Sequence, residues 1–250
     1  MNETYKVQVQ GLVDDLKAVF THAGLGGEAG EYKLLTQSFL YKFLNDKFLY
    51  QAKVLDESNT YENLLAMSEE DYDWLLEDIG TSTAWLKPDQ LIETLHRQQN
   101  EPTFYETFEN ILNQIAIDNN DIFSVHTDGD TAIRLFDERL ITDTISDSSK
   151  RNEVAKAIIN LLARVKFDET IFSQGFDFFS TLFEYMIKDY NKDGGGKYAE
   201  YYTPHSVAKI IADILVGDDK PQNVRIYDPS AGSGTLLMNL ASRIGVDKTT

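Results

Sequence analysis

The sequence predicts a mainly α amino-terminal helical domain, residues 1–165, followed by the beginning of an α/β domain, residues 166–250. Three observations lead there. Apolar residues recur at three- and four-residue steps through most of the first 190 positions, the period of an amphipathic helix. Gly194, Gly195 and Gly196 then interrupt the pattern with a joint that cannot hold a helix economically. Beyond the joint the order becomes helix, short strand, small-residue turn, helix. An open α/β sheet presents a loop to a nucleotide in that order, at the carboxyl end of a strand.

Composition narrows the function classes. Of 250 residues, 42% are hydrophobic and 12% aromatic, enough for a core and far from a disordered chain. No run approaches the 18 or more apolar residues of a membrane span, so no membrane partner is expected. The start, Met-Asn-Glu-Thr-Tyr-Lys, has neither a basic nor an apolar leader region, which reads as a cytoplasmic protein. The absence of cysteine excludes disulfides, thiolate zinc sites and cysteine nucleophiles. The net charge is −18, but residues 51–150 carry 22 acidic and six basic side chains, so the acidity is regional. That region is either a solvated helical face or a surface that meets a basic partner and keeps DNA away.

Residues 9–20 read as a helix with Val9, Leu12, Val13, Leu16, Val19 and Phe20 on one stripe, broken by Gly24, Gly26, Gly27 and Gly30. Residues 31–50 restore a stripe through Leu35, Phe39, Leu40, Phe43, Leu44 and Phe48, dense enough for a central core helix. Further helices are expected over 61–79, 89–99, 103–117, 131–141 and 151–165. Pro88 and Pro102 stand at or just before two starts, where a missing N–H costs little. The serines and Asp147 at 146–149 read as a loop. Residues 172–190 are aromatic-rich, yet Phe176, Phe179, Leu182, Phe183, Met186 and Ile187 keep a helical period. After the joint, Thr203 and Pro204 read as an N-cap and first helical residue. Val207, Ile210, Ile211, Ile214 and Leu215 supply the core stripe of a helix ending near Gly217. Residues 224–228 are the expected strand and 235–244 the helix after the turn.

The turn Asp228-Pro229-Ser230-Ala231-Gly232-Ser233-Gly234 has a logic for a nucleoside ligand. Glycines let backbone pass close to a ligand, and Asp228 at the strand's end can receive a cationic donor. Thr235 stands where a phosphate-binding loop has lysine, and Leu237 where a dinucleotide turn has a third glycine or alanine. A ligand with a positively charged amino-acid end therefore suits the turn better than a polyphosphate. The alternative is a small-residue turn needed only for close strand–helix packing. Upstream, Glu200-Tyr201-Tyr202-Thr203-Pro204-His205 puts two aromatic rings and a hydroxyl at a helix N-terminus, which suits a carboxylate. Alone it reads first as a capped helix with core aromatics. His22, His96, His126 and His205 are isolated from one another, so no metal site is expected. Asp128-Gly129-Asp130 lacks the remaining ligands of a calcium loop and reads as a turn.

The pairing of Tyr-Tyr-Thr-Pro with Asp-Pro-Ser-Ala-Gly-Ser-Gly resembles the motif X and motif I segments of gamma-class adenine-N6 DNA methyltransferases. With the glycine joint and the long helical preface, the chain resembles the modification subunit of type I restriction-modification systems, strongly over 175–245 and diffusely before. The resemblance implies a Rossmann-like, S-adenosylmethionine-dependent methyltransferase domain. Its cofactor, S-adenosyl-L-methionine, would be held by Glu200, Tyr201, Tyr202, Thr203, Pro204 and His205 on one side. On the other stand Asp228, Pro229, Ser230, Ala231, Gly232, Ser233 and Gly234, with Asp228 meeting the methionine ammonium. It also implies double-stranded DNA as substrate, methyl transfer to N6 of a flipped-out adenine, and two protein partners, a specificity subunit and a nuclease-translocase restriction subunit.

One family feature is absent. The (Asn/Asp)-Pro-Pro-(Phe/Tyr) motif does not occur, since Pro88, Pro102, Pro204, Pro221 and Pro229 are all separated. No catalytic residue is therefore assigned, and the acidic residue expected on the ribose is missing as well. A single strand with one following helix cannot complete a sheet, so the chain is expected to be an amino-terminal piece of a longer enzyme, inactive alone. Two further readings stay open: a helical assembly module without chemistry of its own, and a methyltransferase fold acting on RNA or protein. Lys188, Lys192 and Lys197 cluster around the glycine joint, where a DNA-facing surface is expected.

Overall fold

The computed structural model describes residues 3–26, 29–81, 83–123, 134–167, 171–172, 203–218, 221–231 and 234–245. The chain forms two compact units, Met1–Phe176 and Asp177–Thr250. The expected helix over 172–190, the glycine joint and its lysines, His126 and the turn at 128–130 lie outside the described residues, apart from Phe172.

The first unit is helical: α1 Glu3–His22, α2 Ala29–Leu55, α3 Tyr61–Ala66, α4 Glu69–Ile79, a 3₁₀ turn Pro88–Gln90, α5 Ile92–Gln98, α6 Phe104–Asp118, α7 Asn120–Phe123, α8 Leu140–Thr144 and α9 Ser148–Arg164. The expected stripe of α1 is buried except Val19, which is half-buried. Gly24, at φ 97°, follows the end of α1, whereas Gly30 belongs to α2 rather than to the break. There its missing Cβ matters, because one would come within 2.7 Å of Thr144 on α8.

As expected, α2 is central, packing against α1, α4, α8 and α9. Its burial is nevertheless broader than a stripe. Leu40 and Phe43 are only half-buried, while Ser38, Tyr41, Lys42, Asn45 and Asp46 are buried. Tyr41, Lys42, Asn45 and Asp46 are satisfied internally, whereas the Ser38 hydroxyl has no hydrogen-bond partner among the described residues. Lys42 Nζ lies 2.9 Å from Asp46 Oδ2, and Asp46 also accepts from Asn45 Nδ2 at 2.8 Å and from the Phe167 backbone N–H at 2.7 Å. Asn45 Oδ1 in turn accepts the Ile92 N–H at 2.9 Å. This network joins α2 to the chain after α9 and to the start of α5.

Other expected helices are subdivided by side chains that capture backbone groups. The single helix over 61–79 is two, because Ser68 accepts the Asp71 N–H at 3.1 Å and starts α4 afresh while Met67 is extended. The helix over 89–99 is a 3₁₀ turn and α5, separated by extended Leu91. Residues 134–139 of the helix expected over 131–141 are irregular. Gln37 Oε1 accepts the Asp137 N–H at 3.0 Å and Asn113 donates to the Glu138 carbonyl at 2.6 Å, bonds that replace helical ones. Ser148 and Ser149 are the first residues of α9 rather than loop, since Asp147 caps that helix through the Ser149 N–H at 3.0 Å.

The described part of the second unit is α10 His205–Val216 and α11 Thr235–Ile244. The expected strand over 224–228 is confined to a bridge at Val224. A strand is defined by its neighbours, and among the described residues none runs alongside 225–228. The expected core stripe of α10 is also displaced. Val207, Ile210, Ile214 and Leu215 are exposed, and Ala208, Ala212 and Val216 are buried instead. The small side chains let α11 approach closely, and among the described residues no element covers the larger ones.

Candidate functional site

The two segments expected to hold a nucleoside cofactor lead into α10 and α11, and those helices are bonded side by side. Near the start of α10, His205 Nδ1 lies 3.2 Å from Asn239 Nδ2 in the second turn of α11. Near the end, Arg243 donates to Asp213 at 2.9 Å and to the Gly217 carbonyl at 2.7 Å. Start meets start and end meets end, so the helices run in the same sense and both N-termini lie at one end of the pair. Their positive dipole ends are presented together.

Each expected site residue has a definite status. Glu200, Tyr201, Tyr202, Gly232 and Ser233 lie outside the described residues. Thr203 is half-buried but is not the N-cap. Pro204 takes that position with ψ 134°, which is extended, and its carbonyl accepts the N–H groups of Val207 and Ala208 at 3.0 and 3.1 Å. His205 is half-buried and opens α10. Asp228 is half-buried, and its Oδ1 accepts the Ser230 N–H at 2.8 Å, an Asx turn that shapes the loop. Pro229, Ser230 and Ala231 are exposed.

Gly234 caps α11 at φ 77° and ψ 9°, left-handed backbone that disfavours any side chain. Its chain neighbours aside, no heavy atom of the described residues lies within 4 Å of where its Cβ would stand. The glycine thus answers a conformational demand, not close packing, and leaves open space beside the N-terminus of α11. Such a site could hold a ligand with an amino-acid end, as S-adenosylmethionine has: a carboxylate for an ammonium and helix N-termini for a carboxylate.

Asn239 and Arg243, which fasten the pair together, were not singled out by sequence reasoning. One signal was available. Asn239 is a lone amide within the otherwise apolar Leu-Leu-Met-Asn-Leu-Ala. Elsewhere, among the described residues, no group of three or more histidines and carboxylates could hold a metal ion, and no helix is long and apolar enough to cross a membrane.

Similarity to known proteins extends over most of the chain. Residues 174–250 match the family model of the N-6 DNA methylases. Over 229 residues, 87% of the chain, it is 25% identical to a type I restriction enzyme MpnII methylase subunit of Mycoplasma pneumoniae, of which the match covers 40%. Over 128 residues, 47% of the chain, it is 27% identical to the MjaIX methylase subunit of Methanocaldococcus jannaschii, covering 22%. Among solved structures, the type I restriction-modification methyltransferase subunit from Streptococcus thermophilus superposes with a TM-score of 0.63 at 20% identity, over 98% of this chain and 52% of that one. The chain thus spans about half or less of the length of the relatives it matches. The resemblance drawn from the two motifs is borne out: residues 174–250 carry the N-6 DNA methylase pattern, and the chain is similar to the methylase subunits of type I restriction enzymes.

Proposed function

We propose that this chain supplies the helical preface and the cofactor-binding start of a DNA adenine-N6 methyltransferase, the modification subunit of a type I restriction-modification system. The observation that carries the reading is the side-by-side pairing of α10 and α11, in which His205, the last residue of one motif segment, reaches the helix capped by Gly234, the last residue of the other. S-adenosyl-L-methionine would supply an electrophilic methyl group on its sulfonium. Asp228 holds the ammonium end, the N-termini of α10 and α11 favour the carboxylate, and Tyr201 and Tyr202 offer apolar faces to the rest. In this reading the chain's contribution to rate is positioning, and groups that contact adenine N6 stand outside it. The domain limits, 1–165 and 166–250, the cytoplasmic setting, and double-stranded DNA, a specificity subunit and a restriction subunit as partners belong to the same proposal.

The test is methyl transfer. Full-length protein, with its specificity subunit, is incubated with duplex DNA and methyl-labelled cofactor, and the DNA is digested to nucleosides. Label in N6-methyladenine supports the proposal. Label appearing only in RNA or protein overturns the substrate, and no transfer to any acceptor by a cofactor-competent assembly favours the assembly-module reading.

A further inference from the structure

We propose that Asn239 is a positioning residue for this pocket: through His205 it locks the helix after Tyr-Tyr-Thr-Pro to the helix after the glycine turn. The inference rests on the cofactor reading above and adds to it a residue outside both motifs. Its carboxamide nitrogen carries two hydrogens and has two acceptors in reach, the Thr235 carbonyl at 2.8 Å and His205 Nδ1 at 3.2 Å. An amide nitrogen only donates, so the imidazole accepts through Nδ1 and carries its proton on Nε2. The first bond anchors Asn239 to the opening turn of α11, whose cap is Gly234, and the second reaches the first residue of α10.

The position of this clasp distinguishes it from ordinary packing. Arg243 makes a second clasp to Asp213 and Gly217 four residues further along α11, a rise of about 6 Å. That one is exposed and fastens the ends away from both motifs. Ala208 and Ala212, buried between the helices, permit close approach but do not fix the sliding of one helix along the other. Sliding would move one set of N–H groups relative to the other, and a site needs its groups held within about 0.5 Å. The clasp at His205 resists that motion where the ligand would sense it.

The experiment compares full-length wild type, Asn239→Ala, His205→Ala, the double variant and Arg243→Ala. Three readouts are taken: thermal midpoint, ¹⁵N imidazole spectrum of His205, and calorimetric affinity for S-adenosylmethionine. In wild type the spectrum should show an unprotonated Nδ1 hydrogen-bonded in the cofactor-free protein, a signature lost in Asn239→Ala. Each single variant of the clasp should weaken cofactor binding about tenfold, the double variant no more than the worse single one. Arg243→Ala should lower the thermal midpoint while leaving affinity within twofold. Unchanged affinity in folded Asn239→Ala, fully additive losses in the double variant, or an equal loss in Arg243→Ala would overturn the proposal. If Asn239→Ala does not fold, Asn239→Leu, which keeps the volume but removes the donating amide, decides it against Arg243→Ala by the same affinities. A wild type that shows the imidazole signature but binds no cofactor refutes the cofactor reading, and with it the positioning role.

Discussion

Replacing Asp46 by alanine should be among the most damaging single changes in the helical unit. Its carboxylate is buried on α2 and faces the Lys42 ammonium at 2.9 Å, the Asn45 amide at 2.8 Å and the Phe167 N–H at 2.7 Å. Burial pushes the Lys42 ammonium below the usual lysine range, with Asp46 opposing that shift. Removing the carboxylate leaves a buried cation unpaired, which costs about 3–5 kcal/mol. The orphaned Phe167 N–H has a penalty of about 1–3 kcal/mol. The two do not add, because Lys42 can shed its proton and cap the loss, so about 3–5 kcal/mol is expected. That is a large part of the roughly 5–15 kcal/mol of a typical domain. The chain's two tryptophans, Trp74 and Trp85, both lie within Met1–Phe176, so urea unfolding followed by fluorescence reports on this unit alone. The pair Lys42→Met with Asp46→Leu removes both charges and should recover most of the loss. A loss below about 1 kcal/mol for Asp46→Ala, or a double variant as unstable as the single one, would refute the reasoning.

Other consequences follow from the same geometry. Tyr41 and Tyr72 donate to the buried carbonyls of Gln90 and Leu86, and burial, reinforced by the charge of Asp89, pushes both hydroxyls well above the usual tyrosine range. Their contribution is therefore fully present below about pH 10 and lost as pH rises beyond it, so fluorescence-monitored stability should fall above about pH 10. Tyr72→Phe should flatten that fall. Gly234→Ala and Gly11→Ala both place a methyl in open space, yet they should differ in sign. The first costs about 1–2 kcal/mol because φ is 77°, and the second gains about 0.5–1 kcal/mol because Gly11 lies inside α1, as circular dichroism melts would show. On the proposed function, and from the charge pattern of the sequence alone, changing Lys188, Lys192 and Lys197 to Glu in the assembled enzyme should weaken DNA binding and flatten its salt dependence, whereas reversing exposed acidic residues within 51–150 should leave the slope alone.

Legibility in the sequence followed how local each determinant is. The periods of α1 and α2 and the turn after 228 could be read because spacing and residue type are local properties. The division at Ser68 was readable too, since a serine followed by Glu69, Glu70 and Asp71 is a helix-start signature, but a continuous apolar period concealed it. By contrast, Gln37 meeting Asp137, or Asp46 meeting Phe167, joins residues about a hundred positions apart, and local pattern carries no sign of it. The burial of Lys42 and Asn45 escaped for the same reason: polarity predicted exposure, and only partners from distant segments make burial tolerable. The apolar face of α10 was visible in the sequence, while the side α11 packs on is set by Ala208 and Ala212, which a search for large side chains passes over.

The central claim is that the glycine turn after Asp228 belongs to an S-adenosylmethionine pocket. Calorimetric titration of the cofactor into full-length wild type and Asp228→Ala tests it most directly, because in the proposed pocket the carboxylate would pair with the ligand's ammonium, and leaving that charge unpaired would cost several kcal/mol. Saturable one-to-one binding by wild type, weakened roughly tenfold or more in a folded Asp228→Ala protein, is the predicted result. Equal affinity in the two proteins would reduce Asp228 to a turn-shaping residue that caps Ser230, and a wild type that binds no cofactor would contradict the account.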